Sequence, residues 1–194
     1  MPLHIVSCGI FQEEFEKIIP EIKQELKAVD IQITYLPSAL HNDNRKLGES
    51  IKNGLEALKG EKIMLLYGDR CHPDLSVITK DTCIYNQGTA NCIELILGAD
   101  RKKELDKTGN IFYMTSGWLK FWRDIFQRDS IYGMENPRII MEGVDKIIVL
   151  DTGTHKISDE EILELYDCVQ IPIEIETIGL DYFKKIIIAT LKRL

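Results

Sequence analysis

Apolar and polar positions along this chain follow two rhythms. Runs of Ile, Val and Leu too continuous for a surface element alternate with longer stretches whose apolar residues recur every three or four positions. "LHIVSCG" is the first such run, and "FQEEFEKIIPEIKQELKA" follows it, with Phe11, Phe15, Ile18, Ile22 and Leu26 on one helical face. Pro20 falls inside that stretch, so the helix is expected to bend there, or to start or stop nearby. "IQITYLP" alternates as a second strand, and "RKLGESIKNGLEALKG" places Leu47, Ile51, Leu55 and Leu58 on one face before Gly60 stops the helix. "KIMLLYG" is the third strand, continuously apolar as a central parallel strand should be.

The same reading continues to the end of the sequence. "GTANCIELILG" is a helix with Thr89 or Asn91 as its cap, followed by a charged "ADRKKELDK" helix or turn. "NIFYMTSG" is a fourth strand that runs into the helix "WLKFWRDIFQRD". "SIYGMENPRIIMEGV" resists assignment, Gly133 and Pro137 marking turns. "DKIIVLDTG" is a fifth strand, "SDEEILELYD" opens on a capping box from Ser158 to Glu161, "IPIEIET" is a sixth strand, and "LDYFKKIIIATLKRL" is a closing helix. Strands separated by helix-sized segments predict βαβ units: an α/β, Rossmann-like fold with an open, mainly parallel sheet and helices on both faces. With 194 residues, 44% hydrophobic and 28% charged, and no repeat or linker, residues 1–194 are expected to form one α/β domain.

Charge removes several function classes. The net charge is -7 and the sole basic cluster is the short "DRKKELDK" segment, which leaves little for nucleic acid to bind. No apolar run approaches the roughly 18 residues of a membrane span, and "MPLHIVSCGIF" has no basic leader, so a cytoplasmic protein is expected. Five cysteines, an odd number without a secretory signal, do not read as a disulfide framework.

Those thiols point to the site. In open parallel sheets, ligands bind outside the carboxyl ends of the strands. The first strand ends in Ser7, Cys8 and Gly9; the third in Gly68, Asp69, Arg70, Cys71 and His72; the fourth in Thr115, Ser116 and Gly117; the fifth in Asp151, Thr152 and Gly153. The second offers His41. Cys92 belongs to the first turn of a helix, where free N–H groups and the dipole would stabilise a thiolate. Cys8, Cys71 and Cys92 can therefore converge on one edge. Soft, charged thiolates bind Zn²⁺ or iron–sulfur clusters, and a three-ligand site leaves one position open. His72 is a possible fourth ligand. Against this stands a plain alternative, in which short thiols fill small spaces near strand ends.

Other features carry less. Cys83 lies in a loop as an auxiliary ligand or a bystander, Cys168 reads as core, and His4 and His155 as surface or cap residues. "IVLDTGT" lacks the partners that aspartic proteases or haloacid dehalogenases require, so Asp151 is expected to cap a turn. Ser116 and Gly117 could cradle an anion, while Trp118, Phe121 and Trp122 read as packing residues. The fingerprints of P-loops, dinucleotide-binding folds and serine hydrolases are absent.

The set "HIVSCG", "YLPSALHN", "LLYGDRCHPD", "NCIELILG", "FYMTSGWL" and "IIVLDTG", in this order, resembles an uncharacterised domain-of-unknown-function family of anaerobic bacteria and methanogenic archaea, whose members are often encoded near corrinoid-dependent methyltransferases. The resemblance implies that Cys8, Cys71 and Cys92 recur together and share a ligand. The commoner family forms read "YG-x-C-G" and "HDCI" where this chain has "YGDRCHP" and "NCI", which sets His72 and Asn91 apart.

The leading expectation is a metal-binding protein with an iron–sulfur cluster or Zn²⁺ on the three cysteines, acting in corrinoid-linked methyl-group or sulfur metabolism. Asp69, Arg70, His72, Asn91 and Ser116 then surround the site or bind substrate. Two alternatives stand beside it. One is a metal-free thiol enzyme in which His72 or another base activates Cys71. The other is a non-catalytic accessory protein docking on a corrinoid protein or methyltransferase.

Overall fold

A computed structural model describes residues 2–194 except 28–29, 39, 41–42, 81, 86–87, 124–137 and 139–140. His41 and nearly all of "IYGMENPRII" lie outside the described residues, as does the far end of the "WLKFWRDIFQRD" helix. The described strands are β1 (Leu3–Cys8), β2 (Ile31–Leu36), β3 (Lys62–Leu66), β4 (Ile84–Tyr85), β5 (Ile111–Thr115), β6 (Lys146–Asp151) and β7 (Ile173–Thr177). The helices are α1 (Gln12–Glu25), α2 (Asn44–Ala57), α3 (Leu75–Ile78), α4 (Cys92–Leu97), α5 (Ala99–Asp106), α6 (Ser116–Lys120), α7 (Asp159–Val169) and α8 (Asp181–Leu191).

The α/β class holds, and every strand pair is parallel. The hydrogen-bonded ladder nevertheless divides in two: one sheet has the order β2-β1-β3-β4 and the other β5-β6-β7. The division falls after β4, a two-residue strand inside a stretch that reads as loop in the sequence. β6 explains how the sheets share an interior. Ile148 and Leu150 join the main core with β1, β3, α1 and α8, whereas Ile147 and Val149 pack with Met114, Leu119 and Leu165 in a second core. Side chains alternate across a strand, so β6 is apolar throughout because each of its faces meets a different core.

Burial follows the sequence pattern. All six positions of β1 are buried between β2 and β3, while the edge strand β7 is largely open. In α1, Phe15, Ile18 and Ile22 face inward, and Phe11 and Phe15 meet Phe183 of α8 at ring separations of 5.0 and 5.6 Å. Pro20 neither ends nor interrupts α1. It lies on the solvent side, where water can satisfy the carbonyl that loses its N–H partner. Asn91 caps α4, and the box between Ser158 and Glu161 caps α7. His4, expected at the surface, is instead buried within β1, and His155 sits beside Glu161 at the start of α7. Among the described residues no helix is long and apolar enough to cross a membrane.

Candidate functional site

Glycine at position 68 decides how the main site is built. β3 ends at Leu66, and the turn that follows doubles back on the segment preceding α4: Asp69 N–H donates to the Thr89 carbonyl at 2.8 Å and Arg70 N–H to the Ala90 carbonyl at 2.9 Å. A Cβ at Gly68 would stand 2.5 Å from the Ala90 carbonyl and the Asn91 Cα, so only glycine permits this approach. Cys71, whose N–H closes the turn on the Gly68 carbonyl at 3.0 Å, is thereby brought against the start of α4. Gly117 repeats the device at the other sheet, where a side chain would strike the Ile10 carbonyl. This brings Trp118 to the same place.

The result is a cavity of about 330 Å³ at the carboxyl ends of β1, β3 and β5. Cys8, Cys71 and Cys92 all line it, with Tyr67, Arg70, Asn91 and an aromatic wall that includes Phe112 and Trp118. Three thiols from distant parts of the chain thus share one space.

Each sulfur faces donors. The amides of Ile10 and Gly9 would stabilise the thiolate of Cys8; those of Gly68 and Cys92 that of Cys71; and the Trp118 indole that of Cys92. Burial outweighs them. It pushes Cys8 up to about 11, raises Cys71, and lifts Cys92 to about 12, with neighbouring Cys71 and Cys8 adding to the last. The expectation that α4 would hold Cys92 as a thiolate is therefore overturned for the metal-free protein. α4 has only six residues, and the N–H groups of Ile93 and Glu94 are already taken by the Asn91 side chain.

The chemistry of the donor set suits a soft metal: three thiols, N–H donors toward sulfur, and a Tyr67 hydroxyl that is buried without a hydrogen-bond partner. The rotamers do not yet gather a ligand set, since among the described residues no three His, Cys, Asp or Glu side chains are positioned to hold one ion. Cysteine has a single side-chain torsion, so binding would require the sulfurs to turn inward about it.

The other predicted residues divide. Arg70 and Asn91 line the cavity, whereas Asp69 is exposed and receives the Gly88 N–H at 2.9 Å. His72 turns away from the sulfurs. Its Nδ1 accepts the Asp74 N–H at 3.0 Å and its Nε2 donates to the Asn44 carbonyl at 3.0 Å, which leaves neither nitrogen for a metal or for Cys71. Gly48 of α2 makes room for that ring. Ser116 is buried and joins α6 to β6, accepting the Thr152 N–H at 3.4 Å. Cys83 is absent from the lining, and Cys168 packs on the second core. Tyr67 and Trp118 also line the cavity, though sequence reasoning passed over the first and assigned the second to packing; Tyr67 directly follows β3, and Trp118 lies in the first turn of α6.

Parallel strands flanked by helices, with a thiol-lined cavity at their carboxyl edge, place the chain in the α/β class. The chain belongs to the family described as "Protein of unknown function (DUF1638)", whose model matches residues 35–187, a span that holds Cys71 and Cys92 but not Cys8. No curated protein matches the chain. Among solved structures, the crystal structure of the ydeN gene product from B. subtilis is similar over 99% of this chain and 97% of that one, at 11% identity and a TM-score of 0.31, too faint a likeness to carry an argument.

Proposed function

We propose that this protein binds a thiophilic metal, as Zn²⁺ or an iron–sulfur cluster, through Cys8, Cys71 and Cys92. The observation that carries the reading is the shared cavity, with amide donors at the sulfurs and the unpartnered Tyr67 hydroxyl facing it. Burial disfavours ionisation of all three thiols, and a cation would supply the charge that lets them ionise, so uptake would release protons. Bound there, the metal would supply Lewis-acid or redox chemistry at an open position. The resemblance extends the proposal to corrinoid-linked methyl-group or sulfur metabolism, with a corrinoid protein or methyltransferase as partner.

The thiol-enzyme alternative has less support. Burial raises Cys71, and His72 spends both ring nitrogens on backbone groups, so His72 does not serve the sulfur as a base. The test is the metal and acid-labile sulfide content of protein purified without oxygen, beside Cys8→Ser, Cys71→Ser and Cys92→Ser. Zinc, or iron with sulfide, should accompany the parent and fall in all three variants. A parent that holds neither after anoxic purification and reconstitution overturns the reading.

A further inference from the structure

We infer that the cysteine cavity also takes a small carboxylate with an apolar, preferably aromatic, body, whose charged end is received by Arg70. The inference rests on this cavity being the ligand site, though not on the metal being present. Its volume of about 330 Å³ lies at the lower end of small-molecule pockets, which span roughly 300–1,000 Å³. The wall is mostly apolar, from Phe11, Phe112, Tyr113 and Trp118 with aliphatic neighbours, so the bulk of an occupant must be apolar as well.

Charge supplies the rest. Among the described residues Arg70 is the single charged side chain in the lining, and no Asp or Glu lines the cavity with it. It is exposed on the turn that follows β3, and among the described residues its guanidinium has no ion-pair partner. Asp69, the adjacent carboxylate, is committed to the Gly88 N–H. An arginine fork without a protein partner, set at an apolar pocket, matches a planar carboxylate in two parallel hydrogen bonds. One guanidinium suits a monoanion; a phosphate dianion would call for further cations, and the lining holds none. The carboxylate at Arg70 would direct the other end of the molecule inward, toward the cysteine sulfurs and the Tyr67 hydroxyl.

The test uses 3-phenylpropanoate and its uncharged amide, titrated into metal-stripped and metal-loaded protein and read by calorimetry and by tryptophan fluorescence, since Trp118 lines the cavity. The acid should bind at least about tenfold more tightly than the amide, as loss of one charge-assisted contact implies. Arg70→Gln keeps the fold because the side chain is exposed, and it should abolish the preference for the acid over the amide. Equal binding of acid and amide, binding of neither, or a preference that survives Arg70→Gln overturns the inference. A preference seen in protein that takes up no metal refutes the metal reading and leaves this one standing; metal uptake without a preference does the reverse.

Discussion

Glu14 offers the sharpest check on the physical reasoning, because it sits where the two sheets meet. The residue is fully buried at 0% exposure on α1, and its Oε1 accepts the hydroxyls of Thr152 at 3.0 Å and Thr154 at 3.3 Å from the loop after β6. Its Oε2 has no partner, and Lys17 on the next turn is directed to the Thr152 and Gly153 carbonyls instead. Burial therefore raises the carboxyl above its ordinary value of 4.5, with Glu13 nearby adding to the effect. The folded protein holds the proton more tightly than the unfolded chain does. The stability this contributes is complete below about 4.5 and is lost as pH rises toward the folded value, at roughly 1.4 kcal/mol per pH unit.

Glu14→Gln keeps the shape and the acceptor for both threonines but cannot titrate. The two proteins should be close in stability at pH 4. Above that the variant should gain on the parent by about 1.4 kcal/mol for each unit until the buried carboxyl ionises, then hold a constant lead. Urea unfolding followed by circular dichroism from pH 4 to 8 measures the difference directly, since every other titrating group cancels between the pair. A lead that stays flat over the range, or one that shrinks as pH rises, would refute the account of Glu14 as a buried neutral acid.

Two further outcomes follow from the cavity. Gly68→Ala forces a Cβ into backbone at 2.5 Å, so it should cost on the order of 1–3 kcal/mol and separate Cys71 from Cys92; thermal unfolding beside metal content reads both, and an unchanged pair of values contradicts the close approach. In metal-free native protein at pH 8, Cys8, at about 11 against an ordinary 9.0, has roughly one hundredth of the usual thiolate fraction, so iodoacetamide should label it slowly by mass spectrometry until urea is added; labelling at the rate of free cysteine would contradict its burial.

How far the sequence reveals this protein depends on what each residue's pattern encodes. The six longer strands are legible because continuous apolar runs, or the alternation seen in β2 and β7, have few other uses when glycine or proline stands beside them. β4 is not, since two residues carry no period. The division into two sheets is equally hidden: the run in β6 says that both faces are buried, but not that they face different cores. Cys8, Cys71 and Cys92 are legible as residues that follow strands or open a helix. His72 is where adjacency misleads, because a turn after Cys71 sends the ring toward α2, and the space that receives it is made by Gly48, far away in sequence. Tyr67 and Trp118 look like packing residues because aromatic side chains usually are; only the orphaned hydroxyl and the shared cavity mark them otherwise.

The order in which the cavity's walls occur along the chain has a consequence during synthesis. Cys8, Tyr67, Cys71 and Cys92 all belong to the portion made first, together with every strand of the β2-β1-β3-β4 sheet. Phe112, Tyr113 and Trp118 emerge later, and the β6 strand that anchors their sheet later still. Domains form from the amino end as the ribosome proceeds at roughly 5–20 residues per second, so the thiols are assembled for several seconds before the aromatic side closes over them. If the cysteines bind a metal as proposed above, that interval is a window in which it could load into a half-built, open vessel.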